Sequence, residues 1–254
     1  MDALSGEPIV DEGTSEESWE ASHFLGALPV ASLESLIEGC ERVVVVSPHP
    51  DDEVLGCGGL LSLCAARYLP MVIVSVSDGE NCYPDNPDWP PSRLRETRCR
   101  ELEEALTTLG LSAPRSIRLE IPDGEVAAHE AHLGHLLEFH LRRNDAVFVP
   151  WRRDGHPDHE AASRAAFHAA EQVGARVFEF PIWAWHWVAA DGGAFDGLNI
   201  SRLELDAATQ ATKQDAIACF TSQVGTTDPS IPAPVLPAHV LKRFARSYEV
   251  FIHE

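Results

Sequence analysis

Residues 43–47 read Val-Val-Val-Val-Ser, and this apolar run constrains the fold more than any other segment of the chain. A strand that is apolar at nearly every position is buried on both faces, as the central strands of parallel α/β sheets are. The run is followed by His49 and then by three consecutive acids, Asp51, Asp52 and Glu53. Because open α/β sheets bind ligands just beyond the carboxyl ends of their strands, we expect chemistry at this turn.

Strands and helices alternate along the chain after this run. Sequence patterns predict strands at 71–77, 116–121, 146–150 and 175–181, and helices at 56–67, 92–109, 125–142 and 160–173. This alternation implies βαβ crossovers, and it predicts an α/β fold with a mainly parallel sheet and helices on both faces. Segments 201–205, 207–220 and 248–252 are expected to add a small carboxy-terminal layer or an antiparallel edge.

The amino-terminal segment carries much of the negative charge. The formal net charge is −21, and residues 1–41 contain ten acids and no Lys or Arg. The composition of residues 1–22 predicts a flexible acidic arm, which leaves a single folded domain over 23–254. An acidic surface repels phosphates, so neither nucleic acid nor anionic lipid is an expected partner. A homo-oligomer is compatible with the sequence.

The sequence also indicates a compartment. No apolar run approaches the roughly 20 residues needed to cross a bilayer, and no basic region followed by an apolar stretch stands at the amino terminus. The six cysteines are scattered without CxxC pairs, in a chain too large to need disulfide bonds for its stability. We therefore expect a cytoplasmic protein with reduced thiols and no membrane insertion.

A second polar turn follows the predicted strand 146–150. The sequence there is Asp-Gly-His-Pro-Asp-His, with His156 and His159 as its imidazoles. Two neighbouring strands that end in HPDD and HPDH would bring imidazole and carboxylate groups together from distant parts of the chain. Two histidines and one aspartate suit zinc or iron and leave coordination positions open for water and substrate. The pair of motifs therefore predicts a catalytic metal site.

Adjacent Asp51 and Asp52 fit such a site, because one carboxylate can bind the metal while its neighbour accepts a proton from water. Each motif alone also suits a turn or a helix cap, since His-Pro-Asp sequences turn easily and Asp caps helices. Their joint occurrence after two strands favours the metallohydrolase interpretation. Three further histidines are weaker candidates because they lie on a predicted amphipathic helix: His129, His132 and His135.

The segments PHPDDE at 48–53 and DGHPDH at 154–159 resemble the LmbE-like or PIG-L family of zinc-dependent N-deacetylases. Weaker similar pieces occur in order, including SVSDGE at 75–80, PDG at 122–124 and KQDAIACFTSQ at 213–223. The resemblance covers roughly residues 40–225. It implies a Rossmann-like sheet and an enzyme that removes an N-acyl group, with acetyl as the expected group. The implied substrate is an N-acetylglucosamine-type sugar on a small glycoconjugate or biosynthetic intermediate.

The resemblance also implies roles for individual residues. Zn²⁺ would be bound by His49, Asp52 and His159, and Fe²⁺ accepts the same ligands. Asp51 matches the family's general base. His156 matches the histidine that stabilises the oxyanion or protonates the leaving amine.

Substrate contacts are implied for Arg98, Asp123 and Glu80. Glu53 is expected to orient the turn that carries the metal ligands without binding the metal itself. Two of these residues have simpler interpretations. Arg98 could form a helix-surface pair with Glu101, three residues on, and Asp123 could be a turn residue.

This chain departs from the mycothiol-type pattern at one position, where Asp154 stands in place of a tyrosine two positions before the first HPDH histidine. Any tyrosine contribution to the oxyanion site must therefore be absent or come from elsewhere, and a mycothiol precursor is not the favoured substrate. The Gly- and Trp-rich stretch 183–199 is predicted to be a loop. Alternation predicts that Trp183, Trp185 and Trp187 share one face, either against a sugar or in the core.

Two other functions fit parts of this pattern. A non-haem Fe(II) oxygenase also uses two histidines and one carboxylate, although it needs no adjacent carboxylate base. A non-catalytic member of the family would bind a ligand or partner through the acidic arm and the Trp-rich stretch. The presence of every proposed catalytic residue counts against the second alternative.

Overall fold

The computed structural model describes residues 12–111, 115–225 and 233–253. The strands of these described residues form one eight-stranded sheet. They are β1 Val30–Ala31, β2 Arg42–Ser47, β3 Met71–Ser75, β4 Arg115–Arg118, β5 Asp145–Pro150, β6 Arg176–Phe180, β7 Asn199–Glu204 and β8 Tyr248–His253.

Eleven α-helices flank or precede these strands in the described part of the chain. They are α1 Glu16–Ala21, α2 His23–Ala27, α3 Leu33–Leu36, α4 Asp52–Ala66, α5 Pro91–Thr108, α6 Glu130–His140, α7 Pro157–Val173, α8 Ala184–Trp187, α9 Ala207–Ala218, α10 Thr221–Val224 and α11 Ala238–Leu241. Prolines begin α5 and α7, where their missing N–H group costs no helical hydrogen bond. No helix among the described residues is long and apolar enough to cross a membrane.

The sheet has the strand order β1-β7-β8-β6-β5-β2-β3-β4. From β2 the chain proceeds outward to β3 and β4, then returns to place β5 on the other side of β2 and β6 beyond it. The order therefore reverses between β2 and β5, where both strands run parallel. This arrangement confirms the predicted α/β fold and places a topological switch point at the ends of β2 and β5.

The carboxy-terminal strand β8 pairs antiparallel with both β6 and β7, whereas the other strand pairs are parallel. Its antiparallel direction agrees with the sequence prediction. It lies inside the sheet, however, because β7 and β1 extend the sheet beyond it.

Strand β2 is buried on both faces, as its sequence predicts. Val43 and Val45 belong to an apolar cluster shared with α4, while Val44 and Val46 belong to a second cluster shared with α7. Alternate side chains of a strand point to opposite faces, so the four valines anchor helices on both sides of the sheet. This packing fixes the turn that follows β2.

Part of the predicted amino-terminal arm packs against the domain. Residues 1–11 of the predicted flexible arm lie outside the described residues, but residues 12–22 pack against the domain. Trp19 in α1 is completely buried against Trp185. Arg246 forms a double hydrogen bond with Glu16, so acids in this segment pair with basic residues near the carboxyl end. The acidic and polar composition of the segment gave no indication of this packing.

Two other boundaries differ from the sequence prediction. Helix α4 begins at Asp52, four residues before the predicted start, because the acids of the motif form its first turn. The predicted loop 183–199 contains α8 and a 3₁₀ turn over Gly193–Phe195. The Pro-rich composition of 228–237 also predicts a loop, and residues 228–232 of that segment lie outside the described residues.

Candidate functional site

The HPDD and HPDH motifs meet at the switch point of the sheet. The first follows β2 and leads into α4, and the second lies between β5 and α7. The two strands are neighbours, with Val45 opposite Phe148. The carboxyl ends of these parallel strands therefore bring together residues separated by about a hundred positions of sequence.

Three side-chain atoms from these motifs form a nearly equilateral triangle. His49 Nδ1 lies 3.3 Å from Asp52 Oδ2, and His159 Nε2 lies 3.2 Å from the same oxygen. The two ring nitrogens are 3.3 Å apart. Tetrahedral ligands about 2.0–2.1 Å from a zinc ion are separated by roughly 3.3 Å, so this donor set fits a divalent metal.

Carboxylates contact the opposite nitrogen of each histidine in the triangle. His49 Nε2 lies 3.1 Å from Asp123 Oδ1 and 3.3 Å from Asp158 Oδ2. His159 Nδ1 lies 2.8 Å from Asp154 Oδ2. A proton held on these nitrogens leaves the lone pairs of His49 Nδ1 and His159 Nε2 directed into the triangle, as metal-binding histidines require.

Asp51, next to the triangle, is fixed by a buried arginine. Arg98 Nη2 donates to Asp51 Oδ2 at 3.0 Å and to the carbonyl of Pro50 at 2.9 Å, while its Nη1 donates to the carbonyl of Gly79. A Cβ atom on Gly79 would overlap the guanidinium, so glycine is needed there. Burial raises the pKa of Asp51, and the Arg98 charge opposes that rise.

The backbone of the first motif is strained at Asp51, whose φ of +151° is rare for a residue with a side chain. Glu53 supports this turn from below, since its Oε2 accepts hydrogen bonds from Ser47 Oγ and from the Asp51 N–H. Burial raises the pKa of Glu53 to about 8. The position matches the supporting role expected for Glu53, which stays a prediction.

His156 caps the start of α7 and faces His49 and His159. Its Nδ1 accepts a hydrogen bond from the Asp158 N–H at 3.2 Å, which places the proton of a neutral ring on Nε2. Its ring centroid lies 4.6 Å from that of His159 and 4.9 Å from that of His49. Burial lowers the pKa of His156, and charge on the neighbouring histidines lowers it further.

The residues predicted to bind substrate occupy other positions. Arg98 is buried on Asp51 rather than paired on a helix surface with Glu101. Asp123 contacts His49 and accepts a hydrogen bond from the Asn81 N–H. Arg98 and Asp123 therefore contact Asp51 and His49 of the site, and their predicted contacts with the sugar remain predictions. Glu80 lies beside Arg95, 3.3 Å from its guanidinium, and its predicted substrate contact remains a prediction.

Sequence reasoning missed the part played by Asp154. Besides His159, its two oxygens accept hydrogen bonds from the backbone N–H groups of Ile182, Trp183 and Ala184. The one available signal was its place in the DGHPDH motif, where it stood out only as a departure from tyrosine. Asp154 connects His159 to the segment that begins α8.

The three tryptophans do not share one face. Because 184–187 is helical, the alternation expected of an extended segment does not apply. Trp185 is buried, Trp183 is partly buried, and Trp187 remains 44% exposed. The three candidate histidines of the other predicted helix do not belong to the triangle. His129 lies 3.8 Å from Glu125, and His132 and His135 are exposed on α6.

Comparison with known proteins identifies the family. The model of the PIG-L family, described as GlcNAc-PI de-N-acetylase, matches residues 44–170, which is half of the chain and includes both motifs. The chain belongs to this family. A curated relative from Nocardia farcinica, 1D-myo-inositol 2-acetamido-2-deoxy-alpha-D-glucopyranoside deacetylase, is 26% identical over 59% of this chain. The match spans 58% of that relative's length.

Solved structures agree with the fold. The A40926 pseudoaglycone deacetylase Dbv21 has a TM-score of 0.60 at 20% identity, with 84% of this chain and 96% of that chain covered. GalB, the 4-carboxy-2-hydroxymuconate hydratase from Pseudomonas putida, has a TM-score of 0.54 at 19% identity, with 81% and 83% covered. Proteins named for two different reactions share this fold, so the reaction must be argued from the site.

Proposed function

We propose that this protein is a zinc-dependent N-deacetylase that removes an acetyl group from an N-acetylglucosamine-type sugar in a small glycoconjugate. The observation that carries the proposal is the triangle of His49 Nδ1, Asp52 Oδ2 and His159 Nε2 beside the carboxylate of Asp51. Membership of the PIG-L family and the name of the Nocardia farcinica relative support the same reaction class.

The proposed chemistry divides hydrolysis of an amide between the metal and two side chains. A bound divalent metal supplies Lewis acidity, which makes water easier to deprotonate and the amide carbonyl easier to attack. Asp51 accepts the proton of the attacking water on Oδ1, because Arg98 engages the other oxygen. Asp51 is thereby oriented before the substrate arrives, which is the main requirement of a general base.

His156 is assigned to the charge that develops on the carbonyl oxygen. Its Nδ1 is engaged as an acceptor, so Nε2–H is the donor that a neutral ring presents. A preorganised donor of this kind stabilises an oxyanion without reorganisation during the reaction. Proton return to the departing amine is assigned to His156 or Asp51.

The site favours hydrolysis over the alternative Fe(II) oxygenase. Both reactions use two histidines and one carboxylate, but an oxygenase has no need of a second, arginine-anchored carboxylate beside the ligands. Asp51 fits a hydrolase and has no assigned purpose in the alternative. Zinc is the proposed metal because two nitrogens and one oxygen with an open position are typical of catalytic zinc.

We further propose that the enzyme works in the cytoplasm on a small-molecule substrate. All six cysteines are free, which suits a reducing compartment. The net charge of −21 disfavours nucleic acid as a partner.

The test is release of primary amine from a panel of N-acetylglucosamine glycosides under anaerobic conditions. Apo protein, zinc-loaded protein, Asp51→Asn and the exposed control Asp215→Asn are compared, with zinc content measured in each. We expect zinc-dependent release that falls about 10²- to 10⁴-fold in Asp51→Asn, the usual contribution of a general base. Asp215→Asn should match the wild type.

Two results would contradict the proposal. If the zinc-loaded wild-type protein releases no amine from any glycoside, the proposed deacetylase activity is contradicted. Full activity in Asp51→Asn would instead show that Asp51 is not the general base and would favour another mechanism.

A further inference from the structure

Trp187 is a half-exposed aromatic residue at the border of the candidate metal centre. Its indole packs against Gly155, the residue immediately before His156, so that a Cβ atom there would lie 2.7 Å from Trp187 Cδ1. Gly155 has a φ of +80°, which also favours glycine. The indole therefore lies beside the second motif and leaves 44% of its surface exposed.

Tertiary contacts hold the segment that carries this tryptophan. Helix α8 has four residues, too few to be stable by itself. Asp154 accepts hydrogen bonds from the N–H groups of residues 182–184 at its start while contacting His159 with the same carboxylate. The position of α8 is therefore tied to that of a metal-binding histidine.

The other end of α8 is bound by an amino-terminal strap, defined as residues 12–19. Trp19 Nε1 donates to the carbonyl of Trp185, the Thr14 N–H donates to that of His186, and Thr14 Oγ1 donates to that of Val188. Carbonyls at a helix end need partners from outside the helix, and the strap supplies them. Such dedicated anchoring is expected for a residue whose position matters.

We propose that Trp187 is a specificity-determining residue, and that its exposed indole binds a flat apolar face of the glycoside next to the metal centre. Indole rings pack well on flat apolar surfaces while their N–H reaches a polar partner. A glycoside offers such a surface in two places, the C–H face of the pyranose and an apolar group attached to it. This inference rests on the proposed deacetylase function and names a binding contact for it.

The experiment separates binding from turnover. KM and kcat are measured for Trp187→Ala, Trp187→Phe and the control Phe139→Ala, an exposed aromatic residue on α6. The substrates are the methyl and phenyl glycosides of N-acetylglucosamine. Calorimetric titration of the same glycosides into zinc-loaded Asp51→Asn, with and without Trp187→Ala, gives affinity in the absence of turnover.

We expect Trp187→Ala to raise KM and weaken calorimetric binding about three- to tenfold, with kcat nearly unchanged. Trp187→Phe should recover most of the loss, and Phe139→Ala should have no effect. Equal losses for both glycosides would support a contact with the pyranose face. A loss confined to the phenyl glycoside would support a contact with the attached group.

The inference is overturned if the wild type is active but zinc-loaded Asp51→Asn binds both glycosides equally well with and without Trp187→Ala. It is also overturned if Trp187→Phe and Trp187→Ala lose equal activity and the loss lies in kcat. That pattern would mean that Trp187 supports the structure but does not bind the glycoside. A wild type that binds glycosides through Trp187 but releases no amine would contradict the deacetylase proposal and still support this binding contact.

Discussion

At the scale of single residues, the site is organised by three carboxylates that lie outside the triangle. Asp123, Asp154 and Asp158 contact the histidines on the nitrogen that faces away from the triangle. They select the tautomer and fix the ring orientation together. The three residues of the triangle were predictable from the two motifs, whereas these surrounding carboxylates were not, since sequence spacing does not show which carboxylate reaches which ring.

Replacement of Asp154 by Asn tests this outer layer. The variant keeps the size of the side chain but removes the charge that holds the proton on His159 Nδ1. We expect zinc affinity to weaken about 10- to 100-fold, the usual effect of such partners. Competition with a chromogenic chelator measures it, and Asp215→Asn is the control; unchanged affinity would show that His159 needs no carboxylate.

Gly79 offers a second test at this scale. A side chain at residue 79 collides with the guanidinium of Arg98 and so displaces Asp51. Gly197 is the matched control, because its φ of +78° resembles the +65° of Gly79 but open space surrounds it. We expect Gly79→Ala to lower kcat strongly, and Gly197→Ala to change stability alone. Equal kcat values in steady-state assays would contradict the Arg98 contact.

At the scale of secondary-structure elements, the sequence predicted those strands and helices whose own residues form a recognisable apolar pattern. Strand β2 follows from an uninterrupted run of valines, and the long helices α5 and α7 follow from the repeated spacing of their apolar or small residues. Helix α8 and the docked strap could not be predicted this way. Both are short, and both form through contacts with distant residues such as Asp154 and Arg246.

Trp19 is the main apolar anchor of the strap. Its side chain is completely buried, its ring packs edge-on against Trp185, and its Nε1 donates to a carbonyl. We expect Trp19→Ala to reduce the free energy of unfolding by about 3–5 kcal/mol, as large aromatic truncations in cores do. Phe139→Ala, exposed on α6, should change it by less than about 0.5 kcal/mol.

Chemical denaturation by urea, followed by circular dichroism, gives both values. A Trp19→Ala protein as stable as the Phe139→Ala protein would mean that the strap contributes little to the fold. That outcome would also remove the argument that the strap positions α8.

At the scale of the whole molecule, the candidate metal centre lies where the two halves of a doubly wound sheet meet. His49 and Asp52 follow β2, whereas His159 follows β5, so a bound ion would bridge chain segments that meet only in the folded state. The unfolded chain has no such preformed site, and metal binding must therefore stabilise the native fold. Zinc at about a hundred times its dissociation constant adds about 2.7 kcal/mol to the free energy of unfolding.

For a chain of this size, that gain corresponds to a rise in Tm of roughly 5–10 °C, measurable by differential scanning calorimetry with and without zinc. His49→Ala should abolish the rise, because it removes one corner of the triangle. His132→Ala, which replaces an exposed histidine on α6, should retain it. The opposite pattern would place the metal on α6 and break the link between the switch point of the sheet and the chemistry proposed for it.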